Sequence, residues 1–124
     1  MVPHLHHVSV PRPYGAESAA RARAFYTGIL GLPELAIPST ITENDLVWFA
    51  IGDSELHVFA ETAFDDPSTR HFCLRVADQG LVRVALTAAG YECSDTIPIP
   101  GRPRFFTRDP FGNSIEITSL DTHE

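Results

Sequence analysis

The residues His71-Phe72-Cys73-Leu74 repeat the pattern of His7-Val8-Ser9-Val10 in the first half of the chain, and this repeat is the main indication of the fold. In each stretch a histidine begins an alternation of apolar and more polar residues, which is typical of a half-buried strand. Two further pairs of segments match, namely Val47-Trp48-Phe49 with Arg104-Phe105-Phe106 and Leu56-His57-Val58 with Ile115-Glu116-Ile117. Matching segments in the same order indicate an internal duplication.

Each half of the chain is predicted to form one strand, one helix and then three strands. Residues 17–30 have apolar side chains at helical spacing, and Gly31 marks the end of that helix. Residues 79–89 form the second predicted helix, with Asp78 as its N-cap and Gly90 as its stop. Its core-facing residues are predicted to be Leu81, Val84, Ala85 and Ala88. The predicted strands cover about residues 4–10, 34–38, 45–51, 54–61, 70–76, 91–95, 103–108 and 113–119.

This order of elements predicts an α+β fold made of two βαβββ modules, at about residues 1–62 and 69–120. A chain of 124 residues is the size of one domain. Its hydrophobic fraction of 44% and charged fraction of 20% are those of an ordinary globular protein. We therefore expect residues 1–124 to form a single domain.

Charge and composition exclude several classes of function. A net charge of −7 argues against a nucleic-acid partner, because phosphate binding needs clustered positive charge. All nine basic residues are arginines, so chemistry that depends on a lysine is excluded. The sequence has no apolar run long enough for a membrane span and no basic, apolar signal segment at Met1, which predicts a cytoplasmic protein. Cys73 and Cys93 lack metal or disulfide spacing and are expected to be small buried residues.

Four predicted strands each carry one ligand-type residue opposite an aliphatic face. Side chains alternate between the two faces of a strand, so His57 lies opposite the face of Leu56 and Val58. The same alternation places His7, His71 and Glu116 opposite the apolar residues of their own strands. We therefore expect these four side chains to share one polar face of the duplicated fold.

Three imidazoles and a carboxylate form a set of candidate metal ligands. A carboxylate within a sheet is costly unless it is paired, hydrogen-bonded or bound to a metal. Neutral imidazole and carboxylate suit Zn, Fe, Ni, Mn or Co, and four protein ligands leave one or two positions open for water or substrate on a five- or six-coordinate ion. The sequence predicts such a divalent metal site at His7, His57, His71 and Glu116. The remaining histidines, His4, His6 and His123, are not expected to be ligands.

Three arginines are candidates for binding an anionic group of a substrate. Arg75 shares the face of His71, where a salt bridge to an acidic neighbour is the alternative. Arg102 and Arg104 belong to residues 96–104, a proline-rich segment predicted to form a loop over a cavity mouth. A solvated loop with incidental arginines is the alternative for that segment.

Several motifs together resemble the glyoxalase/bleomycin-resistance/dioxygenase superfamily, also called the vicinal oxygen chelate superfamily. They are His6-His7-Val8-Ser9-Val10, Phe25-Tyr26-Thr27-Gly28-Ile29-Leu30-Gly31-Leu32, Glu55-Leu56-His57, His71-Phe72-Cys73-Leu74 and Asp109-Pro110-Phe111-Gly112-Asn113-Ser114-Ile115-Glu116. The resemblance spans nearly the whole chain.

The resemblance implies two βαβββ modules that form a cupped, incompletely closed mixed β-barrel around a metal ion. In such proteins the ligands come from the first and last strands of each module, which here carry His7, His57, His71 and Glu116. The implied activity is that of a lyase, isomerase or dioxygenase acting on a small molecule with vicinal oxygens, with the metal stabilising an enediolate-like anion. Glu116 is then also the candidate catalytic base. Many members of this size are homodimers.

The chain departs from individual branches of this superfamily. Glyoxalase I usually has a carboxylate where His57 stands, and Pro11 replaces an arginine that helps to hold glutathione. Extradiol dioxygenases keep open the position that His57 would fill. A non-catalytic, bleomycin-resistance-like protein that sequesters a small molecule is the alternative, although such proteins generally lack the full set of ligands.

Overall fold

A computed structural model describes residues 1–41, 45–62 and 68–119 of the chain. The chain divides into two compact units, Met1–Asp65 and Asp66–Glu124, and each has its own sheet and helix. The first unit contains β1 (His7–Arg12), α1 (Ala16–Arg23), β2 (Glu34–Leu35), β3 (Leu46–Ile51) and β4 (Ser54–Ala60). The second contains β5 (His71–Arg75), α2 (Gln79–Ala88), β6 (Arg104–Arg108) and β7 (Ser114–Thr118). The predicted α+β class is confirmed.

The sheet of the first unit has the strand order β1-β4-β3-β2. β1 runs parallel to β4, whereas the β3–β4 and β2–β3 pairs are antiparallel. One face of this sheet and the adjoining helix contribute the fully buried side chains Val47, Phe49, Leu56, Val58, Ala22, Phe25 and Tyr26. The rings of Tyr26 and Phe49 lie 5.3 Å apart between centroids, which joins the helical segment to β3. The sheet therefore packs one face on the core and leaves the other for polar side chains.

The first helix is less regular than the helix predicted over residues 17–30. α1 ends at Arg23, and residues Ala24–Ile29 continue as a π-helix. The amide of Leu30 donates to the carbonyl of Phe25, five residues back, as a π-helix requires. Gly31 then adopts a φ of 76°, the left-handed conformation that glycine provides at a helix end.

The sheet of the second unit repeats the first with the order β5-β7-β6. β5 and β7 are parallel, and β6 and β7 are antiparallel. The strand predicted over residues 91–95 is wrong, because only Ser94 pairs, in an isolated bridge with Phe106. The carbonyl of Glu92 accepts instead from the side chain of Thr107, so the ladder does not extend. This bridge occupies the place that β2 holds in the first unit.

The registers of the two sheets correct the predicted alignment of the repeat. Trp48 lies opposite His57, and Phe106 lies opposite Glu116. Trp48 therefore corresponds to Phe106, one position away from the match of Val47-Trp48-Phe49 with Arg104-Phe105-Phe106. Apolar character alone could not fix this register, since Phe105 and Phe106 are both aromatic yet face opposite sides of the strand.

The packing face of α2 also differs from the prediction. Asp78 caps the helix as expected, accepting from the amides of Gly80 and Leu81. Leu86 is the buried side chain of the helix, whereas Leu81 and Val84 are 69% and 67% exposed. The prediction that Leu81, Val84, Ala85 and Ala88 face the core is therefore wrong, because aliphatic residues occur on more than one face of this helix.

No helix in the described part of the chain has the length and apolarity needed to cross a membrane.

Candidate functional site

The first unit places His7 and His57 side by side on its polar face. They lie on the adjacent parallel strands β1 and β4, and their rings stack with centroids 4.1 Å apart at an interplanar angle of 16°. Trp48 of β3 stacks on His57 from the other side, at 3.8 Å. The His57 ring is therefore held between two other rings, in a fixed orientation.

Two further residues contact this pair. Glu55, two residues before His57 on the same strand face, places Oε1 2.8 Å from His57 Nε2. The hydrogen bond with His57 is the main reason that the pKa of Glu55 is lowered. The Nδ1 atoms of His6 and His7 lie 3.0 Å apart. The alternation of the strand could have identified Glu55, since residues 55 and 57 point to the same side.

The second unit places His71 and Glu116 side by side on the equivalent pair of strands. They lie on the adjacent parallel strands β5 and β7, with His71 Nε2 3.2 Å from Glu116 Oε1. The other ring nitrogen of His71, Nδ1, lies 2.9 Å from the carbonyl oxygen of Thr69. A carbonyl only accepts, so Nδ1 donates to Thr69, and Nε2 is the ring nitrogen that faces Glu116 and could bind a metal.

The carboxylate of Glu116 is buried and contacts two arginines. Arg102 and Arg104 each approach Glu116 Oε2 at 3.4 Å, and the Glu116 side chain is only 4% exposed. Arg104 also donates to the carbonyl of Ile97. Arg75, the third arginine suggested for substrate binding, is exposed on β5. Two of the three candidate arginines thus lie beside the carboxylate that sequence analysis assigned to the metal.

The loop over residues 96–104 is folded back by a tight turn. The amide of Arg102 donates to the carbonyl of Ile99, with Pro100 and Gly101 between them. Gly101 has a φ of 74°, the positive φ that the third position of a type II turn requires and that glycine adopts without strain. Arg102 at the end of this turn and Arg104 at the start of β6 thus contact the same carboxylate, that of Glu116.

Cys73 is a further member of the polar face, where the alternation along β5 places it on the same side as His71. It lies opposite Glu116 in the β5–β7 register and is exposed, so the expectation that it is buried is wrong. Partial burial and the nearby Glu116 raise the pKa of its thiol. Cys93 is half-buried. The position of Cys73 two residues after His71 is the signal that was available, because both point to one face.

The two pairs occupy equivalent places in their sheets. In the first unit His57 lies opposite Ser9, two residues after His7. In the second unit Glu116 lies opposite Cys73, two residues after His71. The duplicated fold therefore presents the same two-residue arrangement twice, and this equivalence does not depend on how the sequence was aligned.

The pair of His71 and Glu116 has donor atoms at a spacing suited to half of a metal site. Two ligands bound to one ion at about 2.1 Å each lie roughly 3 to 3.4 Å apart, and the 3.2 Å between His71 Nε2 and Glu116 Oε1 agrees with that spacing. Within each unit, the described residues contain no group of three or more His, Cys, Asp or Glu side chains that could hold an ion. His4 is exposed, and His123 lies outside the described residues.

The repeated arrangement of sheet and helix in the two units is that of one class of protein. The family model of the Glyoxalase/Bleomycin resistance protein/Dioxygenase superfamily matches residues 4–117. The chain belongs to this superfamily. Members commonly use divalent metal ions, and they include both enzymes and non-enzymes. A comparison with curated proteins finds no match.

Solved structures with the same fold extend this result. A protein assigned to the glyoxalase family of Bacillus anthracis is 31% identical, with a TM-score of 0.86 and 97% of each chain covered. Lactoylglutathione lyase from Agrobacterium tumefaciens is 20% identical, with a TM-score of 0.69 over 96% of this chain and 95% of that one. TnmS3, an antibiotic binding protein from Streptomyces sp. CB03234, is also 20% identical, with a TM-score of 0.69 over 96% and 97%. The last two likenesses concern the fold alone.

Proposed function

We propose that the protein is a divalent-metal-dependent enzyme acting on a small molecule with vicinal oxygens, as a lyase, isomerase or dioxygenase. In this proposal residues 1–124 form a single domain, and the protein is a cytoplasmic homodimer. His7, His57, His71 and Glu116 hold one ion of Zn, Ni, Fe, Mn or Co. When bound, the ion supplies Lewis-acid stabilisation of the negative charge that develops on the substrate oxygens.

The observation that carries the proposal is the equivalence of the two pairs. His7 with His57, and His71 with Glu116, stand on adjacent parallel strands in the same register. A single histidine on a strand has many structural explanations, whereas the same ligand-type arrangement in both halves of a duplication favours a shared purpose. Membership of a superfamily that commonly uses divalent metals supports the same conclusion.

The residues around Glu116 have separate proposed roles. Glu116 accepts a proton from the substrate as a general base, because its carboxylate lies at the site, where it can take up a proton from a bound compound. Arg104 is 16% exposed and positions that carboxylate through Oε2, while Arg102, at 44% exposure, is free to turn toward an anionic substrate. Arg75 remains a candidate for the same task from the outer strand β5.

The first test is metal content after purification without chelator or nickel resin. We expect about one divalent ion per chain in the protein, measured by elemental analysis. His57→Ala and Glu116→Ala should each lower the metal affinity by on the order of 100-fold or more while the circular-dichroism spectrum stays unchanged. The loss follows because each substitution removes one donor atom from a set of only four.

His4→Ala is the matched control, since His4 is an exposed histidine close to the site in sequence. Its metal content should equal that of the unsubstituted protein. Equal metal content in His57→Ala, Glu116→Ala and His4→Ala would refute the assignment of the ligands. Anomalous scattering from crystals of the isolated protein would then identify any ion and its true ligands.

One observation favours the alternative of a non-catalytic binding protein. Glu116 already has two guanidinium partners, and His57 is held by Glu55 and stacked between two rings. Polar groups satisfied in this way are stable without a cation. A protein that is isolated without metal and also fails to bind added Zn, Mn, Ni or Fe would establish sequestration as the better function.

A further inference from the structure

The second unit contains a cavity of about 750 Å³ that borders His71. It lies where β5 and β7 begin and β6 ends, and its wall includes Tyr91, Phe106, Arg108 and Ser114. Cavities of roughly 300 to 1,000 Å³ are those that enclose drug-sized ligands in proteins. The cavity is thus large enough for a compound of more than one ring, in contact with a residue of the candidate site.

Aromatic rings form part of this wall and are held in place. Phe106 packs edge-on against His71, with ring centroids 4.9 Å apart. The backbone of Ser94 pairs with Phe106, and Thr107 Oγ1 donates to the carbonyl of Glu92 at 2.8 Å. These contacts fix the segment that carries Tyr91 against β6. A rigid wall with two rings favours a flat, apolar ligand.

Arg108 is the arginine on the wall of this cavity, which also includes the carboxylates of Glu92 and Asp109. Arg108 donates to the backbone carbonyls of Gly112, at 2.7 Å, and Ser68, at 3.4 Å. It pairs with no carboxylate in the ranges that the structure covers, 1–41, 45–62 and 68–119. The carboxylate of its neighbour Asp109 accepts from the amide of Asn113, and Glu92 is exposed to solvent.

We propose that this cavity binds an aromatic carboxylate, with its ring against Tyr91 and Phe106 and its carboxylate at Arg108. The opposite edge of the ring then contacts His71. This inference rests on the proposed function in one respect. It treats the bound compound as the substrate, with its reacting oxygens facing His71 and Glu116. Binding itself depends on the cavity of the second unit and needs no metal.

The test titrates two probes of nearly equal shape into the full-length protein in the presence of EDTA. 2-Naphthoate carries the negative charge, 2-naphthamide lacks it, and isothermal titration calorimetry gives both dissociation constants. We expect saturable binding of both, with 2-naphthoate tighter. Arg108→Gln should weaken 2-naphthoate by about tenfold or more, because a charge-assisted hydrogen bond is lost, and should leave 2-naphthamide nearly unchanged.

Arg21→Gln, an exposed arginine of α1 outside the cavity wall, is the matched control and should change neither constant. Unchanged 2-naphthamide binding also shows that the cavity of the Arg108 variant is folded. Arg108→Lys, which keeps the charge, should retain most of the preference for 2-naphthoate.

Two results would overturn the inference: no saturable binding of 2-naphthoate, or an equal loss of both probes in Arg108→Gln. Because EDTA removes any ion, these results leave the metal proposal untouched. Conversely, a protein that binds 2-naphthoate but takes up no metal would retain the cavity assignment and lose the proposed metal-dependent activity.

Discussion

The guanidinium of Arg12 is fully buried at the end of β1 and must find its partners inside the first unit. It contacts Asp45 Oδ1 at 2.6 Å and Ser18 Oγ at 2.7 Å, and Ser18 in turn donates to the carbonyl of Pro13. Asp45 Oδ2 accepts from the amide of Gly15 at 2.7 Å. One ion pair with a buried guanidinium therefore ties β1, the start of α1 and the start of β3 together.

The pKa of Asp45 is lowered from 3.8, mainly by the hydrogen bond from Arg12 and next by that from Gly15. Asp45→Asn should therefore destabilise the fold by about 3 kcal/mol near neutral pH, because it leaves the buried Arg12 charge unpaired. Asn keeps the shape of the side chain and tolerates the φ of 71° at this position. Urea denaturation at several pH values measures the difference.

The sign of the pH dependence follows from the lowered pKa. The carboxylate contributes its full stability above the unfolded value of 3.8 and loses it as the pH falls through the folded value. The gap between the protein and Asp45→Asn should stay constant from pH 7 to pH 5 and close below pH 3.8. Asp53→Asn, in the exposed β3–β4 turn, should have no comparable effect. A gap that widens in acid would contradict this assignment.

At the scale of elements, α2 offers a direct comparison of two leucines on one helix. Leu86 is fully buried, and Leu81 is 69% exposed. Leu86→Ala should lower the free energy of unfolding by about 2 to 5 kcal/mol, because it removes buried methyl groups and leaves a cavity. Leu81→Ala should change the same free energy by less than about 0.5 kcal/mol. Chemical denaturation followed by circular dichroism measures both.

The two substitutions are matched in chemistry and in helix propensity, so their difference reports burial alone. Equal destabilisation would indicate that Leu81 is covered in solution, as by a second copy of the chain. In that event the loss for Leu81→Ala should depend on protein concentration, whereas the loss for Leu86→Ala should not.

At the scale of the whole molecule, β1 and β5 are the outer strands of their sheets and carry His7 and His71. Outer strands expose unpaired backbone groups that proteins usually cover. We therefore expect a homodimer in which the first unit of one chain and the second unit of its partner share each metal site. Multi-angle light scattering should give the mass of a dimer at micromolar concentration.

Mixing two variants that each bind metal poorly tests whether the metal sites are shared between chains. If they are, a heterodimer of a His57→Ala chain and a Glu116→Ala chain has one site with both defects and one intact site. Co-refolding the two variants should then restore metal binding to a fraction of the mixture, measured by elemental analysis after gel filtration. If each site belongs to one chain, every site keeps a defect and no metal binding returns.

The sequence was sufficient for much of the fold and for the position of each candidate ligand on its strand. The alternation around His57 and Glu116 is local, because successive side chains on a strand must point to opposite faces. The glycine-marked helix ends and the cap at Asp78 are local for the same reason. Such features depend on neighbouring residues only, so a single sequence displays them.

The tertiary structure decided the features that depend on partners distant in the chain. Whether Leu81 or Leu86 is buried, which aromatic residue of β6 lies opposite Glu116, and which arginines contact that carboxylate are all set by pairing across the fold. Several faces and registers satisfy the same local pattern, and the pairing across the fold distinguishes among them. For this protein, the sequence determined which side chains could serve a site, and the packed sheets determined what surrounds them.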